Sequence, residues 1–363
     1  MPEKEYLYFL CQIPGIGAIS IFRLREFFGG FREIWNAEER FLRKANILTE
    51  RRLSKLLEGR KQESAFQREY EALEGRGIRF TAYWEEAYPQ RLRPYRDRPA
   101  ALYLKGAFPK DGLPSIAIVG ARGCTEYGKE AAGFFASSLA KENVQIISGL
   151  ALGVDGAAHR GALAADGRTF AVLGCGINVC YPKENYGLFC EMEEKGGLIT
   201  EFPLGTRPSS MNFPMRNRII SALADAVIII EAREKSGSLI TADYALEQGK
   251  EVFALPGRIT DPLSGGCNRL LQTGAAVLLS PSDVLDFLGL KYEKKLTDYK
   301  NTEKRLAKNE NLVYSFLDSR PKHFDAIVSA CGLSMAECME SLFRLELAGI
   351  VNKTGNQYYS RKM

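Results

Sequence analysis

Histidine is scarce in this chain, and its cysteines are irregularly spaced. Its 363 residues include only two histidines, His159 and His323, and none of the eight cysteines forms a C-x-x-C pair. Cys175, Cys180 and Cys190 lie near one another in the sequence, but zinc sites usually show tighter paired ligands. The sequence therefore predicts no metal site and no cofactor. The thiols are expected to be reduced and packed, as in a cytoplasmic protein.

Long apolar runs and a strong charge of one sign are also lacking. No run approaches the roughly 18 apolar residues of a membrane helix, so no membrane partner is expected. The first residues, MPEKEYLYFLCQIPG, do not have the pattern of a secretory signal. The formal net charge is +5, from 49 Lys and Arg against 44 Asp and Glu. This balance permits a nucleic-acid or phosphate partner without requiring one.

The first 114 residues divide into a helical part and a mixed part. Residues 1–65 carry apolar residues at helical spacing, interrupted by Pro14-Gly15-Ile16-Gly17. This segment resembles a helix-hairpin-helix or SAM-like module, whose turn can offer backbone amides to a DNA phosphate. No basic residue follows the turn directly, so a structural role is favoured over a DNA contact. Residues 66–114 are interpreted as a lead-in to the domain that follows.

The centre of the chain alternates apolar strands with helices. The strands are predicted at IAIVG, VQIISG, TFAVLG, LITEF, AVIIIEA, EVFALPG and AAVLLS. Uninterrupted apolar runs are typical of strands buried on both faces, so residues 66–288 are predicted to form a doubly wound parallel α/β domain, Rossmann-like in type. Residues 289–308 carry seven basic residues against three acidic ones and are predicted to be a solvated linker. Three helices and a two-stranded wing in residues 309–363 predict a winged helix.

The strand ends carry glycines and cations. After IAIVG, a dinucleotide-binding turn would continue G-x-G-x-x-G, but Arg122 interrupts that pattern, and no Walker A motif occurs. Ligands bind at the carboxyl ends of strands in such sheets, so we expect these residues to line a groove for several phosphates. A helix beginning at Ser236-Gly237-Ser238 would add free N–H groups. The candidate phosphate-binding residues at these strand ends are Gly120, Arg122, Gly149, Lys183, Tyr186, Arg216, Arg218, Ser236, Gly237 and Ser238.

Several of these residues have plainer interpretations that the sequence leaves open. Arg218 could pair with Asp225 or Glu201 and be structural. Asp155 and His159 could form an acid–base couple, although a helix-capping Asp155 and a packed His159 are favoured. Tyr186 could stack on a base or pack within its loop.

These segments together resemble the DprA family, DNA-processing protein A, also called Smf. The resemblance rests on VGARGCTEYG, SGLALGVDGAAHRGAL, AVLGCGINVCYPKEN, FPMRNRIISALADAVIIIEA and SGSLITADYALEQGKEVFALPG. It implies binding of single-stranded DNA and loading of the RecA recombinase onto it during natural transformation in competent cells. It implies DNA contacts by Arg122 and Lys183 and an aromatic contact at Tyr186. It also implies DNA binding by the FPxRNR loop, with Asn212, Phe213, Arg216, Asn217 and Arg218 as the candidate residues. It also implies a homodimer through the Rossmann domain, with Leu271 and Val277 at the interface.

Two rival functions use the same fold. Phosphoribohydrolases carry a catalytic glutamate in P-G-G-x-G-T-x-x-E, but Thr241 stands near that place here. Glu201 or Glu231, at strand ends, could substitute for it. A sensor of a small nucleotide in the same pocket is the third alternative.

The winged helix is not expected to read duplex DNA. Its presumed recognition helix, SMAECMESLFRLELAG, carries Glu337, Glu340 and Glu346 against Arg344 alone. A helix in the major groove needs donors and cations facing the duplex. A protein-contacting or auxiliary module is therefore favoured.

Overall fold

The computed structural model describes residues 1–290, 306–318, 321–355 and 357–361 of the chain. They fall into two units, Met1–Leu288 and Gly289–Met363. Most of the expected linker at 289–308 lies outside the described residues, and so does Asn356 of the expected wing turn.

A nine-stranded sheet runs through the first unit in the order β1-β2-β6-β5-β4-β3-β7-β8-β9. Neighbouring strands from β6 to β9 pair in parallel, whereas β2 is antiparallel to both β1 and β6. The predicted α/β class with a mostly parallel sheet is confirmed. The strands are β1 (Arg79–Ala82), β2 (Ala101–Gly106), β3 (Ser115–Gly120), β4 (Gln145–Ser148), β5 (Thr169–Val172), β6 (Gly197–Thr200), β7 (Ala226–Ile230), β8 (Glu251–Ala254) and β9 (Ala276–Val277).

Helices connect the parallel strands and cover the sheet. Five residues in a row are buried in β7, as expected for a strand that is covered on both faces. The strand order reverses between β3 and β7, which is where such sheets open a crevice for a ligand. The helices are α7 (Glu126–Lys141), α8 (Val154–Ala164), α9 (Tyr186–Lys195), α10 (Asn212–Leu223), α11 (Gly237–Glu247), α12 (Gly265–Gln272) and α13 (Pro281–Phe287).

The helices that precede the sheet share an apolar core with its β1–β2 edge. The ring of Tyr8 lies 5.2 Å from that of Phe80 in β1 and 6.1 Å from that of Tyr103 in β2. The boundary drawn at residue 65 falls inside α6, because apolar residues of that helix continue into this core. The helices are α1 (Glu3–Cys11), α2 (Ala18–Phe28), α3 (Phe31–Asn36), α4 (Glu39–Ala45), α5 (Glu50–Arg60) and α6 (Glu63–Gly75).

The Pro14–Gly17 turn joins α1 to α2. Gly15 has a φ of +88°, a conformation that favours glycine, and Ile16 is buried in the core. These features fit the structural role favoured for the turn.

The second unit has the predicted winged-helix fold. Its helices are α14 (Lys308–Phe316), α15 (Phe324–Cys331) and α16 (Met335–Leu347). The sheet has three strands rather than the two expected, because the short β10 (Lys322–His323) pairs with β12 (Tyr358–Arg361), which also pairs with β11 (Val351–Thr354). Among the described helices, no single one is long and apolar enough to span a membrane. The pair α15–α16, bent by 113°, meets the length and composition criteria jointly.

Candidate nucleic-acid interface

A cavity of about 420 Å³ opens at the carboxyl ends of β3 and β7. Gly120 and Ile230 are paired at these ends, so the loops that follow the two strands lie side by side. A Cβ on Gly120 would lie 1.8 Å from the Ile230 carbonyl oxygen, so only glycine fits there. The predicted site residues that line the cavity are Gly120, Arg122, Phe213, Arg216, Asn217, Ser236, Gly237 and Ser238.

Arg122 is the exposed cation on the β3 side of the cavity. Its guanidinium carbon lies 4.6 Å from the centroid of the Phe213 ring, within cation–π range. Among the described residues, no carboxylate forms an ion pair with Arg122. Its guanidinium is therefore held over an aromatic face with donors available for an anion.

The N-terminus of α11 lies on the opposite side of the cavity. Ser236 is the N-cap, and its hydroxyl oxygen lies 3.4 Å from the Ser238 backbone nitrogen, which donates to it. The Asn217 side chain donates to the Gly237 carbonyl oxygen at 3.2 Å and so fixes the first turn. The free N–H groups and the dipole of this helix start favour an anion.

Two cations that the sequence analysis passed over also line the cavity. Arg233 and Lys235 lie between β7 and α11, and both are exposed. The signal was present, because REKSGS directly follows the strand AVIIIEA. With Arg122, they place three exposed cations around the α11 N-terminus.

Arg216 lines the cavity but is buried, with only 4% of its surface exposed. Its guanidinium donates to the Gly149 and Val172 carbonyl oxygens at 2.7 and 2.5 Å, and burial lowers its pKa to about 10. A Cβ at Gly149 would lie 2.1 Å from this guanidinium. The sequence analysis expected Arg216 to grip a phosphate, but its Nε and Nη1 donors are already used within the protein. Arg216 acts as a clamp beneath the cavity, because it joins the Gly149 and Val172 carbonyl oxygens. Glycine at position 149 leaves room for its guanidinium.

Arg218 does not belong to the cavity. It pairs with Glu201 at 2.5 Å, and both side chains are nearly buried, at 11% and 13% exposure. The helix periodicity explains the difference, because residues two apart on α10 point to different sides. The plainer interpretation, a structural ion pair with Glu201, is the one that the structure supports.

Lys183 and Tyr186 lie beside the cavity rather than in its wall, on the loop that leads into α9 and at the first residue of that helix, respectively. Both are exposed, Tyr186 at 63%. Asn185 between them donates to the carbonyl oxygens of Leu150 and Ala151 at 3.0 and 3.1 Å, and Ala151 lines the cavity. This tether fixes the loop beside the cavity.

Tyr181, at the start of this loop, is the aromatic that the sequence analysis missed. Its ring stacks on Phe213 at 5.8 Å and 26°, and it is 40% exposed. A Cβ at Gly174 would lie 2.7 Å from the Phe213 ring, and Asn212 donates to the Gly174 carbonyl oxygen at 3.2 Å. Gly174 and Asn212 thus position Phe213 between the cavity and the loop.

The carboxylates considered for catalysis are engaged elsewhere. Glu201 pairs with Arg218, and Glu231 accepts hydrogen bonds from Thr125. Asp155 is the only carboxylate among the described residues that line the cavity, and it accepts from the Gly149 amide at 3.2 Å. Burial raises its pKa, although the neighbouring Arg216 opposes the shift.

His159 is buried, and its Nδ1 lies 2.6 Å from the Thr169 hydroxyl oxygen. Burial lowers its pKa to about 3, so it is neutral near pH 7. It does not line the cavity. The packed His159 fits the plainer of the two interpretations. Asp155 lies in the first turn of α8 but does not cap it, because Gly153 is the N-cap and the Asp155 carboxylate accepts from the Gly149 amide instead.

The expected interface residues occupy the edge of the sheet formed by β9. Val277 is 49% exposed, whereas Leu271 on α12 is half-buried against the sheet's core. Among the described residues, no strand follows β9 in the sheet order, so this edge is open.

The α16 helix of the winged-helix unit exposes an apolar stripe. Met335, Met339, Phe343 and Leu347 recur every fourth residue and are each more than half exposed. Glu340 pairs with Arg344 at 2.7 Å. The only basic side chain of this helix is thus already partnered, which fits the expectation that it does not read duplex DNA.

Comparison with known proteins gives consistent matches. Residues 79–289 match the family described as DNA recombination-mediator protein A, and residues 299–356 match the DprA winged helix domain. Protein Smf of Synechocystis is 30% identical over 100% of both chains.

Two solved structures are similar. The X-ray structure of DNA processing protein A from Streptococcus pneumoniae has a TM-score of 0.67 and 31% identity, covering 80% of this chain and 99% of that one. A structure of DNA processing protein A from Helicobacter pylori, reported for its single-stranded DNA binding mode, has a TM-score of 0.53 and 33% identity. That match covers 58% of this chain and 95% of the other.

The two cavity arginines are predicted to respond differently to the same substitution. Arg216→Met leaves two buried carbonyl oxygens without a donor and should lower the free energy of unfolding by about 2–4 kcal/mol. Arg122→Met, at an exposed position, should change it by less than about 0.5 kcal/mol. Urea denaturation of both variants measures the difference. Equal losses would contradict the assignment of Arg216 as a clamp.

Proposed function

The chain belongs to the DNA recombination-mediator protein A (DprA) family, and from that premise we propose that it binds single-stranded DNA at the crevice between β3 and β7. The observation that carries the proposal is the ring of exposed cations around the free α11 N-terminus. Arg122, Arg233 and Lys235 surround it, and Lys183 lies on the adjoining loop. Arg122 would grip a phosphate through two parallel hydrogen bonds, as a guanidinium does.

The aromatic contacts favour a single strand over a duplex. Phe213 lies beneath the Arg122 guanidinium, and the ring of Tyr181 stacks on it with an exposed face. A base can stack on such a face only when it is unpaired and splayed from its neighbours. Tyr186, the first residue of α9, offers a second ring. The bound strand is proposed to run from the cavity across Tyr181 towards Lys183.

Hydrolysis of nucleotides is not proposed, because no observation favours it. An N-glycosidic hydrolase needs a carboxylate free to activate water or stabilise the sugar cation. Glu201 and Glu231 are held by Arg218 and Thr125. Asp155 is engaged with the Gly149 amide above the Arg216 clamp.

The finer parts of the function rest on the family resemblance. We propose that the protein holds incoming single strands during natural transformation and loads RecA onto them, in the cytoplasm. We also propose that it acts as a homodimer through the Rossmann domain. The open β9 edge supports the dimer, since sheet edges with exposed apolar residues are usually covered.

Arg122→Glu is predicted to weaken oligo-dT binding by about 10- to 100-fold, the loss expected for one charge-assisted contact replaced by repulsion. Lys235→Glu should weaken it by a smaller factor, because its side chain makes a point-charge contact. Fluorescence anisotropy measures both. The matched control is Arg168→Glu. This exposed arginine directly precedes β5, so it lies at the amino end of that strand, whereas the cavity lies at the carboxyl ends of the strands. Equal affinity of Arg122→Glu and Arg168→Glu would reject the site.

RecA loading is predicted to depend on this same site. The wild-type protein should shorten the lag in RecA ATPase activity on single strands covered by a single-strand-binding protein. Arg122→Glu should leave the lag long, because it does not hold the strand. A lag that the wild-type protein does not shorten would contradict the loading role.

Val277→Arg is predicted to convert dimers to monomers in sedimentation velocity, because a charge at the open edge cannot be buried there without a partner. Leu271→Arg should do the same, although its half-buried position also costs stability. Ile19→Arg, at an exposed apolar position on α2, is the control that should stay dimeric. Dimers that persist in Val277→Arg would show that the interface does not include the β9 edge.

A further inference from the structure

Glu231 has an unusual place directly after β7. It is buried, with 5% of its surface exposed, and its φ of +50° lies in the left-handed region that few residues other than glycine adopt. Residues held in such conformations cluster at functional sites, where the surrounding structure fixes them. Nothing in the DNA-binding role described above assigns a part to Glu231.

Both ends of the loop that carries Arg122 are attached to Glu231. The Ala121 amide donates to the Glu231 carbonyl oxygen at 2.8 Å. The Thr125 amide donates to Oε2 at 2.7 Å, and the Thr125 hydroxyl donates to Oε1 at 2.5 Å. One residue thus fixes the backbone on each side of Arg122 and Gly123.

The Glu231 carboxylate lies where α7 begins. Thr125 is the N-cap of this helix, and its hydroxyl oxygen accepts from the Gly128 amide at 3.1 Å. A Cβ on Gly128 would lie 2.4 Å from Oε2, so the glycine makes room for the carboxylate. A helix N-terminus is an anion site, and here the anion comes from the chain itself.

The position of α7 in the fold shows why the contact between Glu231 and its N-terminus matters. α7 follows β3, beside the switch point, and in dinucleotide-binding folds the corresponding N-terminus receives the pyrophosphate through G-x-G-x-x-G. In this chain the sequence after β3 lacks that pattern, and the Glu231 carboxylate accepts the hydrogen bonds at the α7 N-terminus. Near the neighbouring N-terminus, that of α11, the one carboxylate among the described residues that line the cavity is Asp155, and it accepts from the Gly149 amide.

We propose that Glu231 is a positioning residue for DNA binding. It acts as an internal anion at the α7 N-terminus, holds the 121–125 loop so that Arg122 lies over Phe213, and leaves the α11 N-terminus as the place for an external phosphate. This inference rests on the proposed function. It assigns Glu231 no contact with the DNA and no proton transfer.

A double-mutant cycle tests the coupling to Arg122. Glu231→Gln keeps the size of the side chain but removes the charge, and it should raise the dissociation constant for oligo-dT about 10-fold. Arg122→Ala should cost about 10-fold in the wild-type background and less than about 3-fold in Glu231→Gln, because an unpositioned arginine contributes little. A role in stability alone would leave the two losses multiplicative, and that result would overturn the proposal.

The control is Glu234→Gln, an exposed glutamate in the same loop that leaves the Arg122 loop untouched. Removing this negative charge beside the cations should leave the dissociation constant for oligo-dT unchanged or lower it slightly. Weakening equal to that of Glu231→Gln would overturn the proposal, because loss of any nearby carboxylate would then suffice.

A second variant covers the case in which Glu231→Gln does not fold. Thr125→Val removes the hydroxyl donor and keeps the backbone amide contact, and it should raise the dissociation constant about 3-fold while reducing its dependence on Arg122. Wild-type affinity in Thr125→Val would overturn the proposal. Failure of the proposed function would look different, because Arg122→Glu alone would then bind normally.

Discussion

The parallel pairing of β3 with β7 is the constraint on which the site depends. It places the loops after both strands, and the N-termini of α7 and α11, at one edge of the sheet. Two adjacent helix starts both attract negative charge. The chain fills one of them with its own Glu231 carboxylate and leaves the other facing a cavity lined by Arg122, Arg233 and Lys235. We propose that this difference between the two helices makes the crevice an anion-binding site.

Basic residues near this edge have two separate physical roles. Arg216 and Arg218 stabilise the fold, one through buried carbonyl oxygens and the other through Glu201. Arg122 and the two cations before α11 are exposed and available to a ligand. The buried Arg216 also explains Gly149, since any side chain there would meet the guanidinium. The buried arginines stabilise the floor of the cavity, and we propose that the exposed cations at its rim bind the ligand.

Much of the fold could be predicted from the sequence, because uninterrupted apolar runs such as those of β3 and β7 specify buried parallel strands. The winged helix and the cationic edge were also predictable. The roles of Arg216 and Arg218 were not, since both occur in one short motif and their partners, Val172 and Glu201, come from distant segments.

Local sequence also gave no sign that Tyr181, rather than Tyr186, stacks on Phe213, because that contact joins a loop to the first turn of α10, more than 30 residues further along the chain. Arg233 and Lys235 were visible in the sequence but could be placed only once α11 was located. The extra strand β10 was missed because two residues carry too little pattern to predict.

The most direct test of the central claim is the binding of the wild-type protein to matched single- and double-stranded oligonucleotides across a salt series. Four cations that each neutralise one phosphate predict a slope of about −3 for the logarithm of affinity against the logarithm of salt concentration. The account predicts that slope together with a clear preference for the single strand. Equal binding of both forms, or a slope near zero, would contradict it.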